Sequence, residues 1–295
     1  GMMRQYFFIF LLALMPLDPA AAAESKEFSS RVSRLEGESG GRLGVAVIST
    51  NGAPIFSYRS DERFAMCSTF KALLGALVLS RVDAGQESLD REIRYTSADI
   101  LDYAPITKER LAIGRMTVRE LNAASIQYSD NTAANLLLKE VGGPAALTKY
   151  LRSIGDRVTR LDRNEPSLNA NLPNDPRDTS TPAAMARTLQ KLLTGKSLSA
   201  ASREQLKAWM IGNTTGDAKL RAGFDKRWII GDKTGSGANG ASNDIAIVFP
   251  DEFPPFIIAV FYTGSSASGD AKNAVIAEVA RITRESLEKN IHPAE

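Results

Sequence analysis

The chain predicts a mixed α/β fold of the α+β type: one antiparallel sheet built from both ends of the chain, terminal helices packed on it, and an all-helical lobe inserted between its strands. Three observations carry this expectation. β-Branched, apolar runs occur early, at 42–50 and 54–58, and again late, at 228–234, 244–249 and 256–263. From about Asp61 to Gly212 apolar residues recur at helical spacing instead, between recognisable helix starts and stops. Amphipathic segments at 25–38 and 270–289 bracket the whole. The expected lobes are therefore 24–60 together with 213–295, and 61–212.

Taken in order, residues 1–23 read as a signal peptide. Arg4 supplies the positive flank, 6–15 the apolar run, and Ala21-x-Ala23 the small-residue cleavage site. The run is about half of what spans a bilayer as a helix. Cleavage after Ala23 and a secreted, periplasmic protein of a Gram-negative bacterium are expected, with no membrane anchor in the mature form, since no cysteine lies near the cleavage site. The helix at 25–38 follows from Phe28, Val32 and Leu35 at helical spacing, and Asn51-Gly52 is a hairpin signal between the first two strands. In the segment 70–79, FKALLGALVL, Lys71 is the only charged residue, so this helix should be buried on nearly all faces. Thr117-Val-Arg-Glu120 is a capping box opening a helix at 121–128. Helices at 132–140 and 144–153 end at Gly142-Gly143 and Gly155, Thr181-Pro182 opens another, and 199–211 stops at Gly212. Between Leu161 and Thr181 lies a polar, proline-dotted loop without periodicity, of a length that is usually functional or disordered.

Composition excludes more than it suggests. Net charge is +2, so no strong field points to nucleic acid. The one histidine, His292, stands near the end of the chain, leaving a Ser-His-Asp triad or a histidine-rich zinc site almost nothing to work with. One cysteine, Cys67, rules out an intramolecular disulfide. No metal or cofactor site is expected. Acid–base chemistry would fall to Lys, Glu, Asp, Tyr or Ser.

Four local patterns offer such chemistry. Ser68-Thr-Phe-Lys71 sets a hydroxyl at a positive helix end with an amine on the same face, a plausible activated nucleophile; the plainer reading is a helix cap with a lysine reaching for water. Ser129-Asp130-Asn131 falls between two predicted helices, where the hydroxyl can relay a proton and the Asn131 amide can hold Lys71 or a ligand; alone it is also an ordinary turn. Lys233-Thr234-Gly235-Ser236 ends a strand, able to offer the Ser236 N–H to a carbonyl and Lys233 with Thr234 to a carboxylate, or else a solvated hairpin lysine. In the long loop, Glu165 and Asn169 can hold one water between carboxylate and amide, as a general base requires, with Pro166 stiffening the turn and Arg163 placed to pair with Asp178.

In this order, in a chain with no usable histidine, the motifs resemble the S-x-x-K, S-D-N and K-T-G set of class A serine β-lactamases. The resemblance covers essentially the whole mature chain and includes Glu165-Pro-Ser-Leu-Asn169, Asn213-Thr-Thr-Gly216 and Phe261-Tyr-Thr-Gly264. It implies a β-lactamase/transpeptidase-like fold and hydrolysis of the lactam amide of penicillins and cephalosporins, with carbapenems an open extension. Ser68 would be the nucleophile, Lys71 or Glu165 through a water its base, Ser129 the proton relay to the leaving nitrogen, and Glu165 with Asn169 the activator of the deacylating water. Lys233, Thr234 and Arg221 would bind the substrate carboxylate. Asn131 and Ser236 would contact substrate, and Tyr103 would flank the entrance. The partner is then a small β-lactam, with no cofactor and a monomeric protein. The resemblance leaves two alternatives: a D-Ala-D-Ala peptidase, in which Glu165 to Asn169 would have no purpose, and a non-catalytic lactam sensor. Relatives bearing a cysteine at the place of Cys67 join it to a partner near Gly237, and this chain has no such partner.

Overall fold

The computed structural model describes residue 9 and residues 18–291. Arg4, the run at 6–15 apart from Ile9, and His292 lie outside the described residues. Helix α1 (Pro19–Ser39) leads into the hairpin of β1 (Arg42–Ser49) and β2 (Pro54–Tyr58). Strand β3 (Phe64–Ala65) precedes a 3₁₀ turn at Cys67–Thr69 and α2 (Phe70–Asp83). Then come β4 (Glu92–Arg94), α3 (Pro105–Glu109), β5 (Arg115–Thr117), α4 (Val118–Gln127), α5 (Asn131–Val141) and α6 (Pro144–Ser153). The long loop carries a 3₁₀ turn at Ser167–Asn169 and ends in β6 (Thr179–Ser180). Helices α7 (Pro182–Leu193), α8 (Ala200–Ile211) and α9 (Leu220–Gly223) return the chain to β7 (Ile229–Ser236), β8 (Ser242–Phe249), β9 (Phe256–Thr263) and α10 (Gly269–Ile291).

The five-stranded sheet has the order β2-β1-β9-β8-β7, antiparallel at every join, so the first strand pairs with the last. Alternation places successive side chains on opposite faces. In β1, Ala46 and Ile48 enter a core shared with α2, α4, α5, α7 and α8, whereas Val45 and Val47 enter one shared with α1 and α10. In β9, Ile257, Ala259 and Phe261 face the first core and Ile258, Val260 and Tyr262 the second. Both faces are covered, which is why these strands read as nearly continuous apolar runs.

Helix α2 is buried at every position from Phe70 to Leu79, as its composition requires. The capping box at Thr117 and Glu120 forms as expected. Two differences have local causes. Helix α1 begins at Pro19 rather than 25, because proline suits the first helical turn and the alanines behind it are the best helix formers. The strand pairs β3–β6 and β4–β5 interrupt the segment expected to be helical; at two or three residues each they are too short to show periodicity. The first pair matters for the site, since it ties the end of the long loop to the turn before Ser68, reinforced by Met66 N–H donating to Asp178 O at 2.9 Å. No described helix is long and apolar enough to cross a membrane.

Candidate active site

Ser68 sits in a tight turn. Cys67 before it takes a left-handed φ of 50°, and Thr69 Oγ1 donates back to Met66 O at 2.8 Å. The chain then enters α2, whose surrounding wall gives the Lys71 side chain no route to water; it is 0% exposed. A buried ammonium needs partners. Lys71 Nζ donates to Ser68 Oγ at 3.0 Å, Ser129 O at 2.9 Å and Asn131 Oδ1 at 2.6 Å, and lies 3.1 Å from Ser129 Oγ and 3.4 Å from Glu165 Oε1. Burial holds Lys71 below the usual lysine range, with the Glu165 carboxylate pulling the other way.

The Ser129 turn between α4 and α5 is locked from inside. Asp130 is fully buried, accepting from Ile106 N–H, Thr107 N–H and Oγ1, and Ala133 N–H, while Ser129 itself takes a left-handed φ of 57°. This aims Ser129 Oγ between two lysines: Lys233 Nζ lies 3.1 Å from it and also donates to Thr234 O at 2.8 Å. Lys233 is fully buried and is held well below the usual lysine range, chiefly by burial and then by Lys71.

Glu165 arrives from the long loop, across a cis bond to Pro166. Its side chain is 0% exposed, with Oε1 3.5 Å from Ser68 Oγ and Oε2 accepting from Asn169 Nδ2 at 2.7 Å. Asn169 Oδ1 is buried with no hydrogen-bond partner among the described residues. The loop's ends are closed by the pair between Arg163 and Asp178 at 2.6 Å. Sequence reasoning missed Asn135 of α5, whose amide grips the Glu165 backbone from both sides at 2.9 Å, to N–H and to C=O. An asparagine amid the apolar positions of a helix was its available signal.

Strand β7 forms the opposite wall. A Cβ on Gly235 would come within 2.8 Å of Met66 O and 3.0 Å of Ser68 N, so only glycine lets this strand lie against the nucleophile turn. Thr234 Oγ1 pairs with Thr215 Oγ1 at 2.6 Å, and Ser236 is exposed at the strand end. Tyr103, 51% exposed, anchors its hydroxyl on Tyr128 O at 2.9 Å at the rim.

Arg221 requires a correction. It was expected at the substrate carboxylate, but its guanidinium turns away, pairing with the buried Asp232 at 2.9 Å and donating to the carbonyls of Met210, Ile211 and Ile230. It lines a different cavity, beside Trp228 and Ile229. Lys219 reaches the groove instead, close to Gly235 O and Asn243 O. Lys219 stands just before α9 and Arg221 within it, so the two side chains leave the turn in different directions. The clue was Asp232, an acid inside an apolar strand that had to have a cation of its own. Burial lowers Lys219 while Asp244 opposes the shift. Cys67 is buried and free, its thiol pushed up to about 12 by burial and then by Glu165.

Ser68, Ser129, Asn131, Thr234, Ser236 and Lys219 thus line one open groove of about 560 Å³, with Tyr103 and Asn169 at its edge. A hydroxyl, a proton path and cations for an anion make it suited to acyl transfer from a small carboxylate-bearing amide to Ser68.

Known proteins agree. Residues 27–287 match the family described as the β-lactamase enzyme family. The chain is 43% identical over 275 residues to β-lactamase CTX-M-97 of Escherichia coli, covering 92% of this chain and 94% of that protein. It is 44% identical over 280 residues to β-lactamase OXY-2 of Klebsiella oxytoca, covering 94% and 96%. The class A β-lactamase reconstructed as the last common ancestor of Gram-negative bacteria superposes with a TM-score of 0.86 at 58% identity, covering 88% of this chain and 99% of that one. By a family match across most of its length and by relatives above 40% identity, the chain belongs to the β-lactamase enzyme family, as a class A β-lactamase.

Proposed function

We propose that this class A β-lactamase opens the lactam amide of penicillins and cephalosporins through an acyl-enzyme on Ser68 that a Glu165-activated water releases. One observation carries the reading: an unbroken hydrogen-bonded path from Ser68 Oγ through Lys71 Nζ to Ser129 Oγ, with Glu165 Oε1 3.5 Å from the same hydroxyl. Lys71 Nζ is the group in direct contact with Ser68 Oγ, and in this reading it accepts the Ser68 proton, a role that its lowering by burial favours. Ser68 Oγ bonds to the lactam carbonyl carbon, and the backbone N–H groups of Ser68 and Ser236 stabilise the oxyanion. The C–N bond breaks as Ser129 hands the nitrogen a proton, replaced from Lys71. The substrate carboxylate rests against Lys233, Thr234 and Lys219, with Asn131 and Tyr103 along the other rim. Glu165 and the free Oδ1 of Asn169 hold the water that attacks the ester, Glu165 takes its proton, and Ser68 regains one as the acid leaves.

The test is mass spectrometry during turnover. Glu165→Ala should accumulate a covalent adduct that Ser68→Ala does not form. Product released by Glu165→Ala at the native rate would remove Glu165 from deacylation. We further propose that a signal peptide at 1–23 exports the enzyme to the periplasm, where it acts as a monomer.

A further inference from the structure

We infer that Asn171 and Asn239 form a clasp that holds the Glu165 loop against the β7–β8 hairpin and so sets the rate of deacylation. The inference rests on Glu165 being the group that activates the releasing water.

The two asparagine amides tie loop and hairpin together from opposite sides. Asn171 Nδ2 donates to Ala238 O at 2.8 Å and to Thr263 Oγ1 at 2.9 Å, and Asn239 Nδ2 donates back to Asn171 O at 2.8 Å. Gly264 N–H donates to Asn239 O at 2.8 Å and Ala238 N–H to Asn169 O at 3.0 Å, so loop, hairpin and β9 meet at one point. Both residues are left-handed, with φ of 44° and 51°. Asparagine tolerates that conformation better than any other side-chain-bearing residue except aspartate, which could not donate these bonds.

Little else holds this end of the loop. Its beginning and end are fastened by Asn135 and by the Arg163–Asp178 pair. Beyond Asn169, the loop is backed by a cavity of about 450 Å³ lined by Asn171, Leu172, Asn239 and Arg42, not by packed core. Close packing is absent there, so the amide bonds, with the Ala238 N–H bond to Asn169 O, set the loop's distance from β7. Two residues upstream, Asn169 Nδ2 orients Glu165 Oε2 at 2.7 Å, and Asn169 O is the atom a Cβ on Gly237 would approach to 3.0 Å. Displacing Asn169 therefore displaces the carboxylate–amide pair that must hold the water. Asn171 and Asn239 touch neither Ser68 nor Lys71 and are positioning residues, not catalytic ones.

Glycine keeps the left-handed backbone while removing the amide. In Asn171→Gly, Asn239→Gly and the double variant, single-turnover measurement should show deacylation slowed by about tenfold with acylation changed less than about twofold, as expected when only one step loses its geometry. Intact-mass spectra should show more acyl-enzyme at steady state, and the thermal midpoint separates positioning from folding. Native deacylation in the double variant, whatever its midpoint, overturns the inference. Equal slowing of both steps overturns it as well. Glu165→Ala, run alongside, keeps the two readings apart: if it stalls as acyl-enzyme while the double variant does not slow, the clasp alone fails, and if it turns over at the native rate, the mechanism fails first.

Discussion

Lys71 and Lys233 meet at one hydroxyl, each within 3.1 Å of Ser129 Oγ, and burial depresses both. Lys219 also lines the groove, and only its placement in space separates it from Arg221. The two make opposite predictions. Lys219→Ala should raise KM for carboxylate-bearing lactams by about tenfold with kcat little changed, a charged hydrogen bond being worth roughly 1.5–3 kcal/mol; unchanged KM would detach Lys219 from substrate. Arg221→Ala leaves the Asp232 carboxylate buried without its cation and should cost stability, roughly 3 kcal/mol by chemical denaturation, rather than specificity. Ser68, Lys71 and Glu165 were legible because their chemistry travels with short spacings. The Lys219–Arg221 choice was not, because it depends on which way a single helical turn faces.

Between elements, β7 and β8 carry a second buried device. Asp232 and Asp244 are both fully buried, with their carboxyls close enough to act on one another. Asp232 Oδ2 and Asp244 Oδ1 have no hydrogen-bond partner among the described residues. The groups facing the pair are Arg221 and the Asn213 amide on Asp232, Leu220 N–H on Asp244 at 3.1 Å, and the Lys219 and Lys233 side chains nearby. Burial, then Asp232, raises Asp244 well above the usual carboxylate range. A carboxyl neutral in the folded protein but ionised in the unfolded one stabilises fully below about pH 3.9 and loses that contribution as pH rises through its folded value. Asp244→Asn, neutral at every pH, should show a flatter fall of Tm with rising pH than the native protein; parallel curves would mean that Asp244 is ionised in the fold. The loop elements follow a different logic. The Arg163–Asp178 closure was readable from opposite charges at the loop's ends, whereas the grip of Asn135 and the Asn171–Asn239 clasp bring together residues 30 and 68 positions apart, which spacing does not reveal.

For the whole molecule, pairing of β1 with β9 commits both ends of the chain to one sheet and leaves the helices between them to face it across the groove. The division at 24–60 with 213–295 and 61–212 is our proposal for how the chain partitions. So is export: secreted protein should begin near Glu24 by mass spectrometry, and a mature form that retains residues 1–23 would remove the signal peptide from this account.

The sequence by itself determined the types of the long strands and helices and the burial of α2, and it supplied the proposal for the reacting groups, because periodicity and short motifs are local properties of the chain. Only the tertiary structure decided which cation enters the groove, how Asp232 and Asp244 share a face, and what fixes Glu165 beside Ser68. Those depend on contacts between segments remote in sequence, where burial removes water and obliges each polar group to find its partner.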